Sequence, residues 1–156
     1  MKKTEIISTF TEYQYTELSA ADQELLDHAK RALDSSYSPY SRFRVGAAIR
    51  LESGRLLSAS NQENIAYPSG LCAERVLLFG YGAQVKNDPI RDMAVIARAD
   101  DGSYKDFIKP CGACLQVMAE YQQLQTGKYR VLLSSIDGRV IECDGVDQLL
   151  PLQFKL

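Results

Sequence analysis

Three cysteines and one glutamate have the types and the spacing of a metal site. Cys111 and Cys114 form a C-x-x-C pair directly after Pro110, and Cys72 stands two residues before Glu74. Zinc binds thiolates at about 2.3 Å in tetrahedral sites, and three protein ligands leave the fourth position open. A carboxylate beside such a metal can carry a proton. The pattern predicts zinc held by three thiolates, with Glu74 as the group that moves the proton.

Both cysteine motifs are expected in the first turns of helices. Residues 71–84 form a mostly apolar stretch that predicts a buried helix, and Pro110 suits the entry to another. A helix N-terminus favours anions and lowers the pKa of a thiol there. Three thiolates still leave the zinc site negative, so a neighbouring cation should help, and Arg75 is the candidate.

Two other kinds of site, a redox-active cysteine pair and a closed structural zinc site, would also explain some of the cysteines. A thioredoxin-like redox pair would account for Cys111 and Cys114 but leaves Cys72 without a role. A closed structural site with Cys143 as fourth ligand is the stronger alternative. Such sites usually contain two C-x-x-C pairs, whereas Cys72 and Cys143 are single, and Cys143 ends an apolar strand where a buried thiol is ordinary. The one histidine, His28, lies within a helical pattern and is not expected to be a ligand.

Composition favours one ordinary globular domain. The chain has 156 residues, 18 Lys and Arg against 20 Asp and Glu, and a net charge of −2, so a nucleic-acid partner is not indicated. We expect one domain over residues 1–156, with residues 1–17 as an extended lead-in. No apolar stretch approaches the roughly 18 residues that span a bilayer, and residues 1–9 lack the apolar core of a signal peptide. We therefore expect a cytoplasmic protein with reduced thiols.

Hydrophobic patterning predicts the element order α-β-β-α-β-α-β-β. Helices are predicted over residues 19–35, 71–84 and 110–121, strands over 43–51, 55–60, 92–98, 129–134 and 139–143, and a short helix over 146–150. Helices that alternate with strands in this way cover both faces of a sheet. We expect an α/β protein, a three-layer α/β/α sandwich around a mixed sheet of about five strands.

The chain closely resembles the small homotetrameric cytidine deaminases, over nearly its whole length from about residue 18 to residue 154. Five segments carry the resemblance: residues 38–48, 61–64, 66–75, 110–117 and 149–154. Zinc-dependent deaminases share a His or Cys ligand, a Glu two residues later and a following P-C-x-x-C. Cys72-Ala73-Glu74 and the segment from Pro110 to Cys114 match the form with three cysteines. The resemblance implies a cytidine deaminase-like fold.

For the metal site, the resemblance implies the same roles that the residue types suggest. Cys72, Cys111 and Cys114 bind one zinc ion per subunit, and Glu74 is the proton shuttle. Arg75 hydrogen-bonds the zinc thiolates. In the family, the substrate is a nucleoside and not a nucleic acid.

The resemblance also implies the contacts to that nucleoside. Asn61 and Glu63 hydrogen-bond the ribose, chiefly its 3′-hydroxyl, and Phe43 packs against the base. An amide and a carboxylate together supply a donor and acceptors for hydroxyl groups. A buried pair of this kind discriminates strongly against a ligand that lacks the hydroxyl.

Three further residues connect the site to a homotetramer. The backbone around Ala66 and the ring of Tyr67 line the pocket, and Tyr67 reaches the site of a neighbouring subunit. Phe154 stacks on a substrate held by another subunit. The resemblance thus implies that one chain does not complete its own pocket.

The implied activity is hydrolytic deamination of cytidine and 2′-deoxycytidine to the uridine nucleosides, with release of ammonia, in pyrimidine salvage. A deaminase of another aminated base, such as blasticidin S, is the alternative within enzymes. A catalytically silent zinc-stabilised binding module and a nucleic-acid-editing deaminase are alternatives from other classes. The near-neutral charge favours a free nucleoside, because a phosphate pocket or a tRNA surface calls for clustered Lys and Arg.

Two positions depart from the pattern of the family. Leu115 stands where many relatives carry Arg, and Val76-Leu77 stands where Thr-Ala often follows. Loss of an Arg at position 115 removes a cation near the thiolates, so Arg75 is expected to carry more of the charge compensation. Residues 1–17 and Lys109 lie outside the resemblance.

Overall fold

A mixed sheet of six strands forms the centre of the computed structural model, which describes residues 1–155. The strands are β1 (Thr11–Gln14), β2 (Phe43–Leu51), β3 (Leu56–Ser60), β4 (Ile90–Ala99), β5 (Arg130–Ser134) and β6 (Arg139–Cys143). The helices are α1 (Ala20–Ala32), α2 (Ala73–Gln84), α3 (Gly112–Gln123) and α4 (Val146–Leu149). The strand order is β1-β6-β5-β4-β2-β3. Strands β4 and β5 pair in parallel, and α3 forms the crossover between them.

Helices cover both faces of this sheet. On one face, Leu25 and Ala29 of α1 pack against Ala94 of β4. On the other face, Leu78 of α2 and Met118 of α3 belong to the larger core cluster. Each strand in the middle of the sheet therefore contributes alternate side chains to two separate cores. The predicted three-layer α/β/α sandwich is confirmed.

The sheet has one more strand than the expected five. Strand β1 lies inside the segment expected to be an extended lead-in, and it pairs antiparallel with β6 so that Thr11 faces Glu142 and Gln14 faces Arg139. Of the four residues in β1, only Tyr13 is half-buried. Apolar and polar residues alternate only weakly in this segment, so the sequence lacks the clear alternation that identifies a half-buried strand. By pairing, β1 covers the edge that β6 would otherwise present to solvent.

The two helices that carry the cysteine motifs lie side by side. α2 begins at Ala73 with Cys72 as its N-cap, and α3 begins at Gly112 with Cys111 as its N-cap. Their contact is close because Gly82 of α2 has no side chain. A Cβ atom at that position would overlap the hydroxyl of Tyr121 on α3.

Candidate active site

The N-termini of α2 and α3 bring three sulfur atoms together. The Sγ atoms of Cys72, Cys111 and Cys114 all lie within 4.8 Å of one another, and those of Cys111 and Cys114 are 3.4 Å apart. Thiolates bound to one zinc ion at about 2.3 Å are separated by about 3.8 Å in a tetrahedral site. The cluster therefore has the ligand type, number and spacing that fit a zinc ion with one open position.

The protein stabilises negative charge within this cluster. A hydrogen bond from the Cys114 thiol, helped by Arg75 and Cys111, lowers the pKa of Cys72 to about 5 although burial opposes the shift. The Nη2 atom of Arg75 lies 3.9 Å from the Cys72 sulfur. In turn, the hydrogen bond to Cys72 and burial raise the pKa of Cys114, which keeps its proton. A thiolate held in this way at neutral pH suits a bound cation.

Glu74 is almost completely enclosed, with 3% of its surface exposed. Burial is the main cause that raises the pKa of Glu74 to about 7, and the neighbouring Cys72 adds to the shift. Its Oε2 atom is buried and has no hydrogen-bond partner within the described residues. Leaving a buried carboxylate oxygen unpaired is costly, and such groups are typical of functional sites. Glu74 therefore has the position and the pKa of a group that exchanges protons with a ligand.

The remaining cysteine and the histidine lie elsewhere. Cys143 is buried in the core, with its sulfur 3.5 Å from the carbonyl oxygen of Gly145. Burial raises the pKa of this thiol to about 11. His28 lies on α1, which packs on the opposite face of the sheet from α2 and α3. The fold therefore places neither residue with the three-sulfur cluster.

A cavity of about 640 Å³ adjoins the cluster. Its size is within the range of small-molecule sites, about 300–1,000 Å³. Eight of the residues singled out in the sequence line it: Phe43, Asn61, Glu63, Tyr67, Cys72, Glu74, Arg75 and Cys111. The structure thus brings two of the three predicted metal ligands, the proton carrier and most of the predicted substrate-binding residues to one cavity, which we name the active-site cavity. Cys114, the third ligand, is buried behind its wall.

Asn61 is buried, and most of its hydrogen-bonding capacity is used inside the protein. Its Nδ2 atom donates to the carbonyl oxygen of Phe43 at 2.9 Å, and its Oδ1 atom accepts from the backbone N–H of Val45 at 2.8 Å. The hydroxyl of Ser36 also donates to Oδ1 at 2.6 Å. One amide N–H is left for a ligand. Asn61 therefore fixes the start of β2 and keeps a single donor available.

Glu63 is held in its charged form by the turn before β2. Its Oε2 atom accepts backbone hydrogen bonds from Tyr40 at 2.9 Å and from Ser41 at 3.3 Å. Burial alone would raise the pKa of Glu63, but these hydrogen bonds and that from the Ser41 side chain outweigh it and lower the pKa below its ordinary value. An ionised carboxylate at the cavity wall is an acceptor for ligand hydroxyl groups.

The structure does not bring every predicted residue to the cavity of its own chain. Tyr67 lines the cavity but is 73% exposed. Ala66 is exposed and is not part of the lining, and its N–H donates to Asn64 at 2.8 Å. Phe154 is 69% exposed, and its carbonyl oxygen accepts from Gln116 at 3.2 Å. The roles of Ala66 and Phe154 stay predictions.

Several cavity residues were not singled out in the sequence. Tyr40 packs edge-on against Tyr67, with ring centroids 5.7 Å apart, and both line the cavity. Tyr40 lies in the first matching segment, so the motif itself was the signal for it. Ile108 and Lys109 line the cavity from the loop before α3. Their only signal in the sequence is their position next to Pro110 and the C-x-x-C pair.

Comparison with known proteins agrees with the site. The family model described as the cytidine and deoxycytidylate deaminase zinc-binding region matches residues 19–127. Cytidine deaminase of Halalkalibacterium halodurans is 39% identical over 132 residues, which cover 85% of this chain and 92% of that protein. The crystal structure of cytidine deaminase from Burkholderia pseudomallei superimposes with a TM-score of 0.72 at 34% identity, covering 85% of this chain and 98% of that one.

The fold and the site together define a zinc-binding deaminase, a class of hydrolases. The chain belongs to the cytidine and deoxycytidylate deaminase family. The predictions of a deaminase and of zinc as its cofactor are confirmed. A more distant relative is blasticidin-S deaminase of Bacillus cereus, 26% identical over 144 residues that cover 88% of this chain and 94% of that protein. Within residues 1–155, no helix has the length and apolar character needed to cross a membrane.

Proposed function

We propose that this chain catalyses the hydrolytic deamination of cytidine and 2′-deoxycytidine to uridine and 2′-deoxyuridine, with release of ammonia. The observation that carries the proposal is the unpaired, buried Oε2 atom of Glu74 beside three clustered thiols in a cavity of nucleoside size. Relatives named cytidine deaminase support the choice of base. Pyrimidine salvage is the proposed setting, because the reaction converts one free nucleoside into another.

The roles of the residues follow from their chemistry. When bound, zinc lowers the pKa of a water molecule and so supplies a nucleophile near neutral pH. Glu74 would accept a proton from the attacking water at Oε2 and pass it to the ring nitrogen beside C4. It would then carry the second proton, from the oxygen added at C4, to the leaving amine, so that the carbonyl group forms as ammonia departs. A pKa of about 7 lets the same carboxyl group accept and release the proton. Arg75 offsets the charge of the Cys72 thiolate.

Three residues of the cavity wall orient the nucleoside in this proposal. Phe43 packs against the base, the free N–H of Asn61 donates to the ribose, and the Glu63 carboxylate accepts from a ribose hydroxyl. The hydrogen bonds that already hold Asn61 and Glu63 support this assignment, because they fix both side chains before a ligand arrives. A preorganised site loses less entropy on binding than a mobile one.

We also propose a homotetramer in which the backbone around Ala66 lines the pocket, Tyr67 reaches the site of a neighbouring subunit, and Phe154 stacks on a substrate held by another subunit. The exposure of Tyr67 and Phe154 supports this arrangement, because large exposed aromatic side chains are typical of interaction surfaces. A reducing compartment such as the cytoplasm is part of the proposal. All four cysteines are free thiols, and thiols stay reduced in such a compartment.

A substrate panel with zinc analysis tests the function. Cytidine, 2′-deoxycytidine, deoxycytidylate and blasticidin S are offered to the purified protein, and turnover is followed by ultraviolet absorbance. We expect turnover of the two nucleosides. Preference for blasticidin S would favour the alternative indicated by the more distant relative. A zinc-loaded protein inert toward all four would favour a binding module.

Replacement of Glu74 tests the mechanism. Glu74→Gln keeps the size of the side chain and removes the proton carrier, so we expect kcat to fall by about 10²- to 10⁴-fold with zinc content unchanged. Glu120→Gln is the matched control, because Glu120 is exposed on α3, and its kcat should equal that of the parent protein. Normal turnover by Glu74→Gln would exclude the mechanism.

A further inference from the structure

Tyr104 supports the ring of Phe43 from outside the active-site cavity. The two rings pack edge-to-face, with centroids 5.0 Å apart and planes at 90°. Phe43 lines the active-site cavity, whereas Tyr104 does not. Edge-to-face pairs are directional contacts that fix the orientation of both rings. The orientation of Phe43 at the cavity wall therefore depends on a residue that lies behind it.

Hydrogen bonds hold the backbone of Phe43 at one end of a strand. It begins β2, and its carbonyl oxygen accepts a hydrogen bond from Asn61 at 2.9 Å. Its N–H donates to the hydroxyl of Ser41 at 3.1 Å. None of these bonds restrains the ring, which is only half-buried. Restraint of the ring must come from packing.

Phe43 borders open space besides the active-site cavity. A second cavity of about 630 Å³ is lined by Phe43 together with Tyr104, Asp100 and Ser103. Phe43 is thus shared between the two cavities, and Tyr104 occupies the wall of the second one. Of the aromatic pairs in the described residues, the one that includes Phe43 is its pair with Tyr104, and both rings line this second cavity.

Tyr104 is itself fixed to the loop between β4 and α3. Its hydroxyl donates to the carbonyl oxygen of Phe107 at 2.8 Å. The next residue, Ile108, lines the active-site cavity, and so does Lys109. Tyr104 and Phe43 both pack against the larger core cluster. The loop that leads to Cys111 and the ring of Phe43 are therefore joined through Tyr104.

We propose that Tyr104 is a positioning residue for the pyrimidine base. It holds the Phe43 ring against the active-site cavity and prevents it from turning into the second cavity. The inference rests on the proposed function, in which Phe43 packs against the base. Because the contact acts on binding of the base and not on proton transfer, its loss raises KM and leaves kcat nearly unchanged.

The test is a double-mutant cycle on positions 43 and 104 with cytidine as the substrate. We expect Tyr104→Leu to raise KM by about 3- to 10-fold, the range of an aromatic pair, with kcat changed by less than about twofold. Tyr104→Phe keeps the ring but loses the hydrogen bond to Phe107, so its KM should lie closer to that of the parent than to that of Tyr104→Leu. In a Phe43→Leu background, Tyr104→Leu should cause no further rise, because the contact is already absent.

Tyr121→Leu is the matched control. Tyr121 forms an edge-on pair with Tyr81, with centroids 5.8 Å apart, between α2 and α3, and neither ring lines the active-site cavity. Its loss should lower the melting temperature and leave KM unchanged. Melting temperature and zinc content are measured for every variant, and Tyr104→Met carries the same test if the Leu variant does not fold.

Two results separate the inference from the proposed function. A parent protein inert toward cytidine would contradict the proposed function. An active parent whose folded Tyr104→Leu variant keeps the parental KM would contradict the inference alone. Additive effects of the two substitutions in the cycle would likewise show that Tyr104 does not act through Phe43.

Discussion

Four cysteines of one chain occupy two different environments. Cys72, Cys111 and Cys114 meet at two helix N-termini, where Arg75 lies against the thiolate. Cys143 ends β6 and packs in the core without a charged partner. A helix N-terminus stabilises a thiolate, whereas an apolar core stabilises the thiol. The same residue type therefore forms a possible metal site in one place and acts as a small hydrophobic side chain in the other.

Zinc binding should depend on Cys111 and not on Cys143. Cys111→Ser removes one of three ligands, so we expect an affinity loss larger than the roughly 10- to 100-fold typical of groups that only support a ligand. Cys143→Ala should keep one zinc per chain and lose about 1–2 kcal/mol of unfolding free energy through lost packing. Competition with a chromophoric chelator measures the affinity. Loss of zinc from Cys143→Ala would support a closed site with four thiolates.

Once zinc is removed, Cys72 should react faster with an alkylating reagent than Cys143. With a pKa of about 5, Cys72 is a thiolate at pH 7 and becomes protonated below about pH 5, whereas the pKa of Cys143 is about 11. Since the thiolate is the nucleophile, iodoacetamide at pH 7 should label Cys72 first and leave Cys143 unlabelled in the folded protein. Mass spectrometry identifies the labelled positions. Added zinc should protect Cys72, and equal labelling of Cys143 would contradict its buried assignment.

Much of the site is predictable from the sequence because its residues belong to local motifs. Cys72, Glu74 and the C-x-x-C pair occupy helix N-termini that the sequence indicates by pattern. Contacts between segments that are far apart in the chain cannot be predicted from any single motif. The bond from Asn61 to Phe43 and the support of Phe43 by Tyr104 are of that kind, and only the folded chain shows them.

At the scale of elements, the approach of α1 to the sheet depends on a glycine in β2. A Cβ atom at Gly46 would overlap the backbone carbonyl oxygen of Ala29. Backbone cannot move aside as a flexible side chain can, so α1 lies directly on β2 at this point. The sequence shows the apolar stripe of α1 but gives no measure of how closely the helix approaches.

Gly46→Ala should separate α1 from the sheet. We expect a loss of about 3 kcal/mol or more in the free energy of unfolding, at the upper end for an overpacked core. Gly80→Ala is the control, because the nearest atom to its Cβ would be Gln84 Nε2 at 3.9 Å within α2. Replacing a helical glycine by alanine should raise stability by about 0.5–1 kcal/mol. Urea denaturation measures both, and equal stability of the two variants would disprove the close approach.

Prediction of the elements succeeded where burial is one-sided and failed where burial is absent. The stripe of Leu25, Leu26 and Ala29 identifies α1 because those residues face the sheet. Strand β1 has no fully buried residue, and its existence depends on pairing with β6. A strand that is held mainly by backbone hydrogen bonds to a partner distant in sequence has no clear pattern in its own side chains, so it is hard to predict.

At the scale of the whole molecule, the proposed tetramer determines which chain would supply the last wall of the cavity. The ring of Phe154 is exposed and does not line the cavity of its own chain, although the segment 149–154 is part of the resemblance. Tyr67 lines the cavity but exposes 73% of its surface. Large exposed rings such as these are what a neighbouring copy of the chain would cover. If the proposed tetramer forms, the activity of each chain depends on residues of its neighbour.

Mixed oligomers decide whether Phe154 acts on a neighbouring chain. We expect Phe154→Ala to lower kcat/KM for cytidine by about tenfold or more, because stacking of one base contributes about 1–3 kcal/mol. The variant is coexpressed with Glu74→Gln under two different affinity tags, and the mixed oligomer is purified through both. A chain with Glu74 intact then receives Phe154 from its inactive neighbour, so part of the activity should return. Light scattering gives the mass of each oligomer. If Phe154 acts within its own chain, every site in the mixture lacks either Glu74 or Phe154, and no activity should return.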